Sequence, residues 1–158
     1  PSLVLGPVLE SDFGTSVELV KRFLNGGFPL APNISFGIVD VRDVAQLHLL
    51  ALESPQASGN RFIASSETLA IPLISEFLRK KIPEYQKRLP KGTAPDFLIK
   101  LLGFFSPLMK TVANQLGKTK ELDNSKAKNI LGWQPRSGEE AVVASAKSLI
   151  EFDIVKSP

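Results

Sequence analysis

A chain of 158 residues is long enough to bury about 68–70% of its unfolded surface in one core, and 43% hydrophobic with 22% charged residues excludes a disordered or fibrous class. Nineteen basic against sixteen acidic residues leave +3, and the charges are mixed along the sequence with no basic block, so no nucleic-acid partner is expected. With no cysteine and one histidine, disulfides and thiolate chemistry are absent, a zinc site is not expected, and a reducing compartment, the cytoplasm, is the natural fit.

The opening PSLVLGPVLE has no basic start and too short an apolar run for a signal peptide. The most membrane-like stretch, LLGFFSPLM at 101–109, falls far short of the ~20 residues that span a bilayer. A soluble protein without a membrane partner is expected.

In chain order, residues 2–5 read as a buried strand punctuated by Gly6-Pro7. Thr15-Ser16-Val17-Glu18 has the form of a capping box opening a helix over Ser16–Asn25 that closes at Gly26-Gly27. After the loop FPLAPN, Ile34–Val41 is a second strand. Asp40 has the side chain of an N-cap and Asp43 falls in the first turn that follows, where the helix dipole favours negative charge. The helix Val41–Glu53 carries Val44, Leu47, His48 and Ala51 at helical spacing and stops before Pro55.

Gly59-Asn60 leads into a third short strand, Arg61–Ser65. A helix over Leu69–Ile82 turns Leu73, Phe77 and Leu78 inward and ends at Pro83. Residues 95–117 form an apolar helical stretch broken at Pro107, and a short element lies at Lys120–Leu122. A small helix, Ser125–Leu131, is closed by Gly132, and a second capping box, Ser137-Gly138-Glu139-Glu140, opens a final helix to Phe152. The tail DIVKSP is expected to fray. Strands alternating with helices make the chain α/β.

Phosphate loops need closely spaced glycines. The eleven glycines include no pair three residues apart, so neither a GxGxxG nor a P-loop is present. His48 sits in an apolar helix, there is no GxSxG elbow, and a core-facing imidazole with a local hydrogen bond is the expectation for it. Tyr85, the only tyrosine, has Leu89 one helical turn on where a Tyr-Lys pair would need lysine. No catalytic residue and no metal ligand is predicted. The carboxylate pairs Asp40/Asp43 and Glu139/Glu140 stand at helix starts, where capping accounts for them. Arg42 has two readings of equal weight: an ion pair with its neighbouring aspartates, or a guanidinium poised to meet a phosphate.

PSLVLGPVL, VDVRDVAQLHLLAL, GNRFIASSE and KAKNILGWQPRSGEEAV, in that order over almost the whole chain, resemble the C-terminal half of extended short-chain dehydrogenases/reductases, the NAD-dependent epimerase/dehydratase group, and most of all members of the dihydroflavonol reductase and 3β-hydroxysteroid dehydrogenase type. The resemblance implies the C-terminal part of a Rossmann-type NAD(P)-binding fold plus a mostly helical substrate-binding lobe. The chain would be a single unit over 1–158, with 1–66 and 123–158 mixing sheet and lobe elements and 67–122 mainly helical lobe.

By the same resemblance, Pro1, Ser2, Leu3 and Val4 correspond to the strand end that meets the nicotinamide carboxamide. Ser16 corresponds to a position near the cofactor's phosphates, the bland alternative being that it only assists the Thr15 cap. Asp40, Arg42 and Asp43 take structural roles, the two aspartates joining sheet and lobe. In the apolar helix, Phe97, Leu101 and Phe105, with Phe104 and Met109, line a substrate pocket or else belong to the core. The expected partners are a small-molecule substrate, NAD or NADP, and the N-terminal dinucleotide-binding half missing from this sequence, with self-association through any exposed apolar patch. The expected function is the substrate-binding portion of an NAD(P)-dependent oxidoreductase acting on a carbonyl or hydroxyl, catalytically incomplete alone. The competing expectations are a free-standing non-redox binding module and a sugar-nucleotide epimerase-like protein.

Overall fold

The structure, a computed structural model, describes residues 1–158 except the side chains of Leu108 and Met109, so Met109 as a pocket residue lies outside the described residues. Three strands, β1 (Leu3–Leu5), β2 (Ser35–Asp40) and β3 (Glu67–Ala70), form one sheet in the order β1-β2-β3. β1 runs parallel to β2 with Leu3 opposite Ile38 and Leu5 opposite Asp40, whereas β3 is antiparallel. The helices are α1 (Thr15–Leu24), α2 (Val41–Glu53), α3 (Ile71–Lys81), α4 (Asp96–Leu102), α5 (Pro107–Ala113), α6 (Ser125–Leu131) and α7 (Gly138–Glu151).

Side chains alternate across a strand, and the alternation divides the core in two. Leu5, Ile38 and Leu69 face α1, α3 and α7, where Val20, Phe23, Ile74, Leu78, Val142 and Leu149 are buried. Val39, with Val4 against it, faces α2 and α6, where Leu47, Ala127, Leu131 and Trp133 are buried. The sheet therefore lies between two helical layers, as expected for an α/β chain with strands covered on both faces.

Several sequence expectations are corrected. Thr15 is the first helical residue and Gly14 the N-cap, with no side-chain cap; Glu18 instead pairs with Lys21 and Arg22. Arg61–Ser65 forms no strand and is pinned at single points instead: Ser2 N–H donates to the Ala64 carbonyl at 2.9 Å and Asn124 Nδ2 to the Ser65 carbonyl at 2.6 Å. The third strand lies just beyond, over Glu67–Ala70, so α3 opens at Ile71 with Pro72 in its first turn, a position that suits proline. Within α3, Ile74 and Leu78 are buried, and Leu73 and Phe77 pack half-buried against them. No helix or strand forms at Lys120–Leu122, although the Lys120 carbonyl accepts from Thr68 Oγ1.

His48 is exposed rather than core-facing, and its Nδ1–H donates to the Val44 carbonyl at 2.7 Å. The tail is held: Val155 is buried, Lys156 N–H donates to Asn25 Oδ1 at 2.9 Å and Arg88 donates to the Lys156 carbonyl. The expected break at Pro107, the left-handed Gly132 (φ 64°) and the Ser137/Glu140 capping box are all present.

Candidate functional site

Both parallel strands point their carboxyl ends at one corner, the place where open α/β sheets bind ligands. At that corner β1 is followed directly by Gly6, at φ 124°. A Cβ there would lie 2.9 Å from Val41 Cγ1 and 3.0 Å from Asp40 Oδ1, so only glycine lets β1 pass this close to the start of α2. Beyond Gly6 the chain crosses to α1 and encloses a cavity of about 380 Å³. Its walls include Val4, Pro7, Val8, Phe13, Val17 and Val41, with Ser16 from the first turn of α1 and the carboxylates Glu10 and Asp12.

The wall is fastened from behind by α7. Ser145 Oγ accepts from Gly6 N–H at 2.7 Å and lies 2.8 Å from the Gly6 carbonyl, and Ser148 Oγ accepts from Val8 N–H at 2.9 Å. Both serines are buried. Sequence reasoning passed over them. The signal was two serines three residues apart, hence on one helix face, inside AVVASAKSLI, which is apolar apart from them and Lys147.

Asp40 caps α2 and is fully buried. It accepts from Arg42 N–H at 2.9 Å, Arg42 Nε at 2.8 Å and Arg42 Nη2 at 2.7 Å. Burial pushes its carboxyl up, but the Arg42 hydrogen bonds and the charges of Arg42 and Arg136 outweigh that and hold it below the usual carboxylate value. Of the two readings of Arg42, the structure displays the ion pair, a planar fork on a carboxylate.

Asp43, also fully buried, reaches across to another segment: its carboxylate accepts from Arg136 N–H at 2.7 Å and from the Arg136 guanidinium. The Asp43 carbonyl accepts from Trp133 Nε1 at 2.9 Å. Asp43 thus ties α2 to the stretch that leads into α7, whereas Asp40 is tied locally. Trp133 is fully buried in the second core cluster.

The structure brings Val4 and Ser16 into one cavity; Pro1, Ser2 and Leu3 are not among its lining residues. Leu3 packs against the main core. Ser2 Oγ and Ser65 Oγ are buried without a hydrogen-bond partner, both beside Gly37. Phe97, Leu101 and Phe105 are 72%, 53% and 83% exposed, so they are not core. A separate groove between α4 and α5 is lined by Lys100, Gly103, Phe104, Lys110, Ala113 and Asn114, without those three. Tyr85 is buried in the core. Among the described residues no group of three His, Cys, Asp or Glu side chains could hold a metal ion, and no helix is long and apolar enough to cross a membrane.

No family model matches the chain. It is 28% identical over 159 residues to the NADPH-dependent methylglyoxal reductase of Saccharomyces cerevisiae, a match covering 97% of this chain and 42% of the relative. It is 32% identical over 162 residues to a ketoreductase of Aspergillus niger, covering 96% and 42%. The crystal structure of the yeast methylglyoxal/isovaleraldehyde reductase complexed with NADPH superposes with a TM-score of 0.70 at 25% identity, over 96% of this chain and 42% of that one. The chain is related to NAD(P)-dependent reductases. It carries their Rossmann-type sheet and helical lobe in part, and it spans less than half the length of these curated relatives.

Proposed function

We propose that the chain is the C-terminal, substrate-binding portion of an NAD(P)-dependent reductase acting on the carbonyl group of a small molecule. The observation that carries this reading is the cavity at the carboxyl end of β1, which Val4 and Ser16 line together. Its residues suit the cofactor: apolar walls for the nicotinamide ring, the strand end at Val4 for the carboxamide, Ser16 in the first turn of α1 on the side of the phosphates, and a glycine where backbone must come close. The cofactor would supply a hydride to the carbonyl carbon and leave oxidised, while the oxygen takes a proton and becomes a hydroxyl.

What these residues contribute is binding and orientation. Pro1, Ser2 and Leu3 carry Val4 to the cavity mouth through β1. Ser145 and Ser148 hold the loop that forms its outer wall. Exposed Phe97, Leu101 and Phe105 on or beside α4 stand ready to close over a substrate from the lobe. The proton is not assigned within these residues, since Tyr85 is buried among core side chains. The phosphate loop belongs to the N-terminal half that the relatives' greater length supports.

The test is the mass of the polypeptide made in the source cell, read under denaturing conditions. A mass larger than 17.2 kDa by a dinucleotide domain of ~100–200 residues is the expected result. A mass of 17.2 kDa would replace this reading with a partner-completed or non-redox binding module.

A further inference from the structure

Three successive residues of the cavity wall, Gly6, Pro7 and Val8, turn no amide proton into the cavity. Pro7 has none. The Gly6 N–H is held by Ser145 Oγ at 2.7 Å and the Val8 N–H by Ser148 Oγ at 2.9 Å, and neither serine is among the lining residues. The Gly6 carbonyl is drawn the same way, 2.8 Å from Ser145 Oγ. Ser148 Oγ donates to the Ser145 carbonyl at 3.1 Å, which turns its lone pairs to Val8. Both hydroxyls are buried, so bulk water does not stand in for them.

Backbone amides must be paired somewhere, and the side on which they are paired decides what a loop can hold. Successive amides turned inward form a nest for an anion. Here they are satisfied from behind, and the wall meets the cavity with carbon: the Pro7 ring and the Val8 side chain, beside Val4 and Val17. We infer that Ser145 and Ser148 are positioning residues for the nicotinamide ring, which keep the wall facing it apolar and dry by drawing the Gly6 and Val8 amides to the back. This rests on the reading just given, in which the cofactor fills the cavity. Without the Ser145 hydroxyl, the Gly6 amide and carbonyl turn to the nearest polar partner, and water enters beside the ring.

The experiment is the fluorescence of NADPH, and of NADH in parallel, at saturation on the protein as its source cells make it and on variants whose fold is checked by circular dichroism. Emission of the reduced ring moves to the blue in dry, apolar surroundings. The parent is expected to show that blue shift, Ser145→Ala to lose part of it, and Ser145→Ala/Ser148→Ala to lose more. Ser75→Ala is the control: it removes a buried hydroxyl on α3 that has no hydrogen-bond partner, and it is expected to keep the parent's emission. Where Ser145→Ala does not fold, Ser148→Ala, which gives up a single contact to the wall, carries the same test. Folded variants whose bound cofactor emits as on the parent overturn the inference and leave the reductase reading intact. So does a parent whose bound cofactor emits as in water, or a Ser75→Ala protein that loses the shift equally. Binding of neither cofactor to the parent overturns the reading and the inference together.

Discussion

Gly6 and Ser145 lie 139 residues apart in sequence and meet through two short contacts, Gly6 N–H to Ser145 Oγ at 2.7 Å and Ser145 Oγ to the Gly6 carbonyl at 2.8 Å. One hydroxyl thus serves as acceptor and donor to the residue that follows β1, and Ser148 repeats the acceptor role at Val8. The loop has no sheet partner for these amides, so α7 satisfies them. Ser145→Ala leaves a buried amide without a partner, which costs about 1–3 kcal/mol, and Ser148→Ala is expected to cost a similar amount. Urea unfolding monitored by circular dichroism measures both. A loss near zero for each would mean that the loop is held by other contacts.

Gly6 itself is constrained by φ 124° and by the approach of Asp40 and Val41. Gly6→Ala is expected to destabilise by about 1–3 kcal/mol through backbone strain and to move the cavity wall. A thermal melt of the alanine variant that coincides with that of the parent would contradict the close approach.

Asp43→Ala removes two hydrogen bonds from Arg136 and leaves that guanidinium without its buried partner. Arg136 is partly exposed and can turn to water, so the expected cost is about 2–3 kcal/mol, below that of a fully buried pair. A double-mutant cycle with Arg136→Ala isolates the coupling, and additive losses would show that the pair contributes nothing beyond its parts.

Asp40 sets an acid limit. Its folded-state pKa is lowered from the ordinary 3.8, so the unfolded chain binds this proton more readily and stability rises with pH across the interval. The contribution is fully present above 3.8 and disappears as pH falls through the lowered folded-state value. The difference in unfolding free energy between the parent and Asp40→Asn should therefore shrink as pH drops below that point. A difference that stays constant down the acid range would rule out the Arg42 ion pair as its source.

Trp133 is the only tryptophan, and it is buried with its indole N–H on the Asp43 carbonyl. Native emission should be blue-shifted and shielded from iodide quenching, and because the indole's acceptor is a backbone carbonyl, Asp43→Ala should leave that hydrogen bond in place. Emission at the wavelength of free tryptophan would place the ring outside the core.

Strand, helix and cap were legible wherever the signal was local. The β2-to-α2 corner, the Ser137/Glu140 box and Gly132 each depend on residues within one turn, and each stands as read. The errors came where a distant segment decided. Arg61–Ser65 has strand-like residues, yet Ser2 and Asn124 take its carbonyls and the ladder starts two residues later. Thr15 loses its cap because Gly14 already adopts the extended cap geometry. The serines of α7 could not be read as loop partners, because nothing near them in sequence marks Gly6 or Val8. Val4 and Ser16 were singled out by resemblance, and the cavity that joins them was not visible until the loop between them folded.

The most direct test of the central claim is a calorimetric titration of NADPH and NADH into the protein isolated from its source cells. A nicotinamide-dependent reductase predicts saturable, one-to-one binding of at least one of the two, with weakened binding when Val4 or Ser16 is replaced by a bulkier residue. No heat and no saturation with either cofactor would contradict it.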